Sequence, residues 1–185
     1  MLTRSDASAK YYLYDRASGK ATFWFDVRPA LAQEKLSVMH PVEIAARDGL
    51  KLVSYYSLPL EADPAGSGKA AHPVPMVLFV HGGPWGRKMH DDLLDAVAWA
   101  VEHGITTRDK VAIMGGSYGG YATLAGLTMT PDEFACGVDI VGPSNLVTLL
   151  NSIPPYWASF RAQLTTRMGD PATEQDARSC TGARR

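Results

Sequence analysis

The sequence predicts an α/β protein in which a parallel sheet with flanking helices follows two antiparallel hairpins. From position 76 onward, continuous apolar runs alternate with segments of helical periodicity, which is typical of βαβ units. Before position 60, aromatic and β-branched runs are separated by short polar turns, which favours hairpins. Residues 61–75 are rich in Pro, Ala and Gly and are predicted to form an exposed loop between the two parts.

Two hairpins are predicted in the N-terminal part. The first pairs Tyr11–Asp15 with Ala21–Phe25 through a short polar turn that contains Gly19. The second pairs Val42–Ala46 with Leu50–Leu58 through an Asp-Gly turn, and Asp-Gly between apolar runs is a strong hairpin signal.

The C-terminal part predicts three parallel strands and two helices. The strands are Met76–Val80, Lys110–Met114 and Phe134–Val141, and their continuous apolar character is that of strands covered on both faces. Between them, Lys88–His103 is amphipathic and Tyr118–Thr128 is rich in small residues, so both are predicted to be helical. Right-handed crossovers then build one parallel sheet.

Composition limits the classes of partner. The 185 residues are 46% hydrophobic and 20% charged, with a formal net charge of −1, which predicts a globular protein with one sizeable core. The near-neutral balance gives no reason to expect nucleic acid or an anionic membrane as partner. No apolar run approaches the roughly 20 residues that span a bilayer, so no membrane partner is expected.

The two cysteines and the first ten residues also allow predictions about thiol burial and cellular location. Cys136 lies in an apolar run and is predicted to be a buried thiol, whereas Cys180 lies in a polar segment. Neither has metal-type spacing, and no motif predicts a cofactor or a metal. The first ten residues are polar, without the apolar region of a signal peptide, so a cytoplasmic location is expected.

The strongest chemical motif is Gly115–Gly120, which reads Gly-Gly-Ser-Tyr-Gly-Gly between a predicted strand and a predicted helix. A serine on such a tight turn has strained backbone geometry, so its neighbours must be nearly free of side chains. Ser117 is therefore predicted to be a nucleophile exposed at the tip of the sheet. The alternative is an ordinary glycine-rich turn between a strand and a helix.

A second glycine motif, His81-Gly-Gly-Pro84, directly follows the first predicted parallel strand. Acyl transfer needs two N–H donors that point at the developing oxyanion. The candidates are the N–H groups of Gly83 and of Tyr118, the residue after the nucleophile. A simple Gly-Pro turn that caps the strand is the alternative. His81 is rejected as a general base, because its position suits a structural role in shaping this loop.

Three segments together resemble the catalytic domain of the prolyl-oligopeptidase family, especially its acylaminoacyl-peptidase and dipeptidyl-aminopeptidase-like bacterial members. They are Leu78–Gly86, Met114–Ala122 and Val141–Asn145. The resemblance implies a serine-type peptidase with a partial α/β-hydrolase fold, a peptide substrate, and a short hairpin remnant of a β-propeller before it. It implies a propeller remnant and linker at 1–38 and a partial catalytic domain at 39–171. The polar, irregular sequence at 172–185 predicts a disordered tail.

The resemblance also implies a substrate-binding region at Pro154–Trp157. Tyr156 and Trp157 would offer apolar surface to the side chain that precedes the scissile bond. An aromatic cluster that closes the core is an equally good interpretation of these residues.

Two departures from the family pattern matter. Triad partners in this fold follow the nucleophile in the order Ser, Asp, His, but the last histidine is His103 and none follows Ser117. A helix and a strand that the family has are also missing between Arg87 and Lys88. An internally deleted, C-terminally truncated hydrolase that is inactive or only binds peptides is therefore the alternative function.

The missing elements also predict the shape of the sheet. The strand that ends at Val80 and the strand before Ser117 should remain neighbours, since the lost strand would lie on the far side of the Val80 strand. Missing helices should leave apolar surface in water, at about 25 cal/mol per Å². Self-association through the exposed sheet edge is expected.

Overall fold

The computed structural model describes residues 1–83, 89–170 and 172–173. The chain divides into two compact units. The N-terminal unit consists of residues 1–43 and 53–72, and the C-terminal unit consists of residues 44–52 and those from 73 onward. In the described part of the chain, no helix combines the length and the apolar character needed to cross a bilayer.

The N-terminal unit begins with a three-stranded antiparallel sheet in the order β1-β2-β3. Its strands are β1 (Leu2–Arg4), β2 (Ala7–Asp15) and β3 (Lys20–Asp26). The predicted aromatic hairpin is confirmed as β2 and β3, where the rings of Tyr11 and Phe25 stack at 4.7 Å. The sequence did not predict β1, because a three-residue strand is too short to carry a periodic pattern.

The second predicted hairpin is also present. Strands β4 (Met39–Ala45) and β5 (Lys51–Ser57) form a two-stranded sheet, preceded by a 3-10 turn at Pro29–Gln33. In the turn, Gly49 has a φ of 85° and donates its N–H to Ala46 O at 2.9 Å. Only glycine takes this backbone conformation at no steric cost, which explains the Asp-Gly signal.

The C-terminal unit contains the predicted parallel sheet, in the order β6-β7-β8. Phe79 and Val80 of one strand pair with Met114 and Gly115 of the next, which confirms that these two strands are neighbours. Residues 87 and 88, between which the sequence predicts that family elements are missing, lie outside the described residues. The elements are β6 (Met76–Val80), α1 (Met89–Glu102), a 3-10 turn (Arg108–Lys110), β7 (Val111–Gly116), α2 (Tyr118–Met129) and β8 (Cys136–Ile140).

Helices α1 and α2 cover one face of this sheet. Alternate residues of the strands point to that face and form a core with residues of both helices. This core consists of Val80, Val97, Val111, Ile113, Ala122 and Phe134, with Met76, Leu78, Leu93, Leu94 and Leu127 packed against it.

Within the described residues, the opposite face has several exposed side chains, and we call it the open face. They include Val77, Phe79, Val138 and Ile140, which are exposed by 60%, 66%, 52% and 42%. The prediction that Met76–Val80 is covered on both faces is therefore wrong. The expectation of apolar surface in contact with water is confirmed. Cys136 also lies on this face and is exposed, so the prediction of a buried thiol is wrong. An apolar sequence run reports hydrophobicity but not the presence of a covering helix.

Two further helices follow the sheet. They are α3 (Leu146–Ser152) and α4 (Ala158–Met168), joined by a 3-10 turn at Pro155–Trp157. Asn145 caps α3, since its Oδ1 accepts a hydrogen bond from Thr148 N–H at 2.9 Å. The pair has its own small core of Leu146, Leu150, Leu164 and Met168. Most of the predicted tail, residues 174–185, lies outside the described residues.

Candidate active site

Ser117 is the single residue between the end of β7 and the start of α2. Its φ of 57° and ψ of −119° place it in a strained backbone conformation, and the residue is exposed. Its N–H donates to Ile140 O at 3.0 Å, and its carbonyl accepts Tyr121 N–H at 3.1 Å. Both backbone groups are therefore fixed, while the side chain lies in solvent at the carboxyl end of the sheet.

Two glycines of the motif allow the backbones to approach one another. A Cβ on Gly119 would lie 2.1 Å from Val80 O, and a Cβ on Gly115 would lie 2.5 Å from the carbonyl carbon of Gly119. Real Cβ atoms do not approach backbone this closely, because van der Waals repulsion rises steeply. The glycines thus let α2 start directly against the ends of β6 and β7, which keeps the turn at Ser117 tight.

The loop after β6 lies next to Ser117. A Cβ on Gly82 would be 3.9 Å from Ser117 Cβ, which is ordinary van der Waals contact. This proximity follows from the topology, because the carboxyl ends of adjacent parallel strands meet at the same edge of the sheet. Gly83 is half-buried in this loop, whereas Pro84 lies outside the described residues.

The backbone N–H of Tyr118 directly follows Ser117 in the chain. Tyr118 is the first residue of α2, and the first four N–H groups of a helix have no acceptor within the helix. The N–H of Ser117 is already donated to Ile140 O. The loop that contains Gly83 and the amide of Tyr118 thus both lie close to Ser117, the first through Gly82 and the second through the chain itself.

The phenol of Tyr118 anchors this helix start. It packs with Tyr121 against the small core of α3 and α4. Burial, and then the charge of Tyr121, raises the pKa of Tyr118 to about 12. The side chain therefore stays neutral at ordinary pH and serves packing.

Two histidine rings form hydrogen bonds to nearby backbone carbonyls. His81 is exposed, and its Nδ1 lies 2.6 Å from Gly82 O. Since a carbonyl only accepts, Nδ1 carries the hydrogen and the ring is tied to its own loop. On α1, His103 Nδ1 lies 2.8 Å from Trp99 O and the two rings stack. These contacts are those of structural histidines.

Tyr156 and Trp157 lie in the 3-10 turn between α3 and α4. They are exposed by 81% and 52%, so they do not close a core. Their rings meet at 6.2 Å, and Trp157 meets Phe160 of α4 at 5.8 Å, both edge to face. The cluster thus presents apolar surface to solvent.

Sequence reasoning missed the residues at the end of β8 that contact the turn at Ser117. Ile140 contributes only its backbone carbonyl, and a backbone acceptor leaves no trace in residue type. The sharp turn after β8, where Val141 has a φ of 52°, was also missed, since valine is rare in that conformation.

A strained serine between a parallel strand and a helix, beside a glycine loop from the neighbouring strand, defines the nucleophile elbow of an α/β-hydrolase. Comparison with known families assigns the chain more narrowly. It belongs to the prolyl oligopeptidase family, whose model matches residues 80–177.

Two curated relatives are similar over nearly the whole chain. A dipeptidyl aminopeptidase BIII of Pseudoxanthomonas mexicana is 51% identical over 92% of this chain and 31% of its own length. A dipeptidyl peptidase family member 6 of Caenorhabditis elegans is 37% identical over 97% of this chain and 32% of its own. The chain thus spans about a third of the length of these relatives. The first alignment runs over 214 positions, more than the 185 residues of this chain, so the relative has segments that this chain lacks.

Solved structures agree on the fold. An acylaminoacyl peptidase from Pyrococcus horikoshii matches with a TM-score of 0.70 at 20% identity, over 96% of this chain and 34% of that one. A puromycin-hydrolyzing peptidase from Mycobacterium tuberculosis matches with a TM-score of 0.71 at 20% identity, over 96% of this chain and 33% of that one.

Proposed function

We propose that this chain carries the nucleophile and the oxyanion site of a serine-type peptidase of the prolyl oligopeptidase family. Ser117 attacks the carbonyl carbon of a peptide bond, and the N–H groups of Gly83 and Tyr118 hold the resulting oxyanion. The observation that carries the proposal is the strained, exposed position of Ser117 beside the loop that contains Gly83. Two curated relatives with peptidase names, at 51% and 37% identity, support the reaction class.

The proposed reaction requires an imidazole. A serine hydroxyl is a weak nucleophile unless a base removes its proton. The last histidine in the sequence is His103, which is bonded to Trp99 O on its own helix. Acid and base must therefore be supplied by further polypeptide, whether joined to this chain or separate. Loss of such a base costs about six powers of ten in kcat, so residues 1–185 by themselves are expected to be nearly inactive.

The substrate surface is proposed to include Tyr156 and Trp157. Their rings are exposed and perpendicular, so they offer apolar faces without first having to leave a core. Aromatic side chains contribute large apolar contact areas to binding. The side chain that precedes the scissile bond would pack on them. Replacing both by Ala should raise KM of the assembled enzyme more than it lowers kcat.

Fluorophosphonate labelling tests the proposed nucleophile. The reagent is applied to residues 1–185 alone and after addition of a polypeptide that carries the family's acid and base. Labelling of Ser117 that appears or accelerates on addition supports the proposal, and Ser117→Ala should abolish it. Ser144→Ala is the matched control, since Ser144 is exposed near the same sheet edge but outside the elbow. Absence of labelling under both conditions would favour an incomplete hydrolase that at most binds peptides.

We further propose self-association through the edge of the parallel sheet. In the described part of the C-terminal unit, β6 and β8 are the outer strands, and both carry exposed apolar side chains. Such edges pair readily with another copy. Sedimentation velocity should detect concentration-dependent association, and Val77→Lys on β6 should reduce it. A monomer at all concentrations would contradict this proposal.

The domain division at residues 38 and 171 and the cytoplasmic location stay predictions. Limited proteolysis would test the first, with a cut near residue 38 expected. Cell fractionation of the natural full-length protein would test the second.

A further inference from the structure

A second strained backbone position lies beside the nucleophile. Among the described residues, only Ser117 and Val141 combine a side chain with a positive φ, at 57° and 52°. For a β-branched residue this conformation is a genuine outlier, because the side chain crowds the backbone. Val141 is 86% exposed, so packing of its own side chain does not hold it there. Strain of this kind persists only where the surrounding structure fixes it.

The contact that closes the turn comes from Asp139. This residue is the last but one of β8, and its Oδ1 accepts a hydrogen bond from Gly142 N–H at 2.8 Å. The bond spans Val141 and ties the chain after the strand back to the strand itself. An aspartate that bonds to a nearby backbone N–H commonly stabilises a tight turn in this way.

The closed turn contacts the elbow on both sides of Val141. Before it, Ile140 O accepts the N–H of Ser117 at 3.0 Å. After it, Gly142 lies against the first turn of α2, where a Cβ would be 2.4 Å from the carbonyl carbon of Gly120. Backbone therefore packs on backbone, and a shift of the turn would be passed directly to Ser117.

We propose that Asp139 is a positioning residue for Ser117 and acts through the strained turn at Val141. Its hydrogen bond to Gly142 keeps Val141 at positive φ, and this places Ile140 O where it fixes the N–H of Ser117. Without the carboxylate, Val141 relaxes to negative φ and the acceptor moves away from Ser117. The inference rests on the proposed role of Ser117 as nucleophile, but its test needs no peptidase activity.

Amide hydrogen exchange of residues 1–185, read by NMR, tests this. In Asp139→Ala, the Ser117 amide should exchange about tenfold faster, the effect of losing one net hydrogen bond. The Ile113 amide, in the middle of β7, should stay within about twofold, which separates a local effect from general destabilisation. Asp139→Asn should restore protection, since its side-chain oxygen accepts the same bond. Asp132→Ala, which removes an exposed carboxylate outside the turn, should change neither amide.

A double substitution tests the role of strain. Glycine adopts positive φ freely, so in Val141→Gly the turn no longer depends on Asp139. The effect of Asp139→Ala on the Ser117 amide should therefore shrink from about tenfold to less than about threefold in the Val141→Gly background. If Asp139→Ala alone does not fold, the double variant is compared with Val141→Gly.

Three results would overturn the inference: an unchanged Ser117 amide in Asp139→Ala, equal acceleration of Ser117 and Ile113, or failure of Asp139→Asn to restore protection. A failure of fluorophosphonate to label Ser117 would instead count against the proposed function alone.

Discussion

The two faces of the β6-β7-β8 sheet are built from equally apolar residues but have opposite environments. Toward α1 and α2, Val111 and Ile113 have no measurable exposure, whereas Phe79 and Val138 on the open face are exposed by more than half. The elbow lies at the junction with the covered face, where Gly115 and Gly119 allow close backbone contact. The described backbone contacts that hold the elbow come from β6, β7, β8 and α2, and the Tyr118 side chain adds packing against α3 and α4. The backbone geometry at Ser117 therefore does not depend on cover on the open face.

The largest effect should come from disturbing that junction. In Gly119→Ala, the new Cβ would lie 2.1 Å from Val80 O, so β6 and α2 must separate. We expect a loss of about 4 kcal/mol or more in the free energy of unfolding. Gly104→Ala is the control, since its Cβ meets nothing within 4 Å and only its positive φ costs about 1 kcal/mol. Urea unfolding measures both, and equal losses would contradict the close-contact argument.

A matched pair of isoleucines compares the two faces directly. Ile113 is fully buried on the covered face, and Ile140 is 42% exposed on the open face. Ile113→Ala should lower the free energy of unfolding by about 3 kcal/mol, because it removes apolar contacts and leaves a cavity. Ile140→Ala should lower it by less than about 1 kcal/mol, since water already reaches the side chain. Similar losses in urea unfolding would mean that the open face is covered in solution.

The elbow could be predicted from sequence because its constraints are local. Ser117 and its neighbouring glycines must be close in sequence to form a tight turn, and the apolar run before them marks the strand. In contrast, the sequence could not predict that helices cover one face of the sheet while the other face is exposed. Residues such as Val77 and Leu78 look alike in sequence, and one is exposed because its face lacks cover from the residues that the structure describes. Helices α3 and α4 were also missed, and in α4 the buried apolar residues, Leu164 and Met168, are too few to give a periodic pattern.

Tyr118 links the elbow to the α3–α4 core, and its ionisation should weaken that link. Burial raises its pKa to about 12, above the unfolded value of about 10. The folded state therefore holds the proton more tightly, and stability is full below pH 10 and lost as the pH rises from about 10 to about 12. The loss should reach at most about 3 kcal/mol and vanish in Tyr118→Phe. Urea midpoints across this range measure it, and an unchanged pH dependence in Tyr118→Phe would count against burial as the cause.

Neighbouring residues on β6 give the smallest effect and the sharpest contrast. Phe79 is 66% exposed on the open face, while Leu78 packs against the core of the covered face. Phe79→Thr should change the free energy of unfolding by less than about 0.5 kcal/mol, because threonine suits a strand and little buried area is lost. Leu78→Thr should cost about 2 kcal/mol, since it removes packing and buries a hydroxyl. If Phe79→Thr proved as costly as Leu78→Thr, another part of the polypeptide would have to cover the open face in solution. The open face would then belong to the core, and association through the sheet edge would lose its apolar driving force.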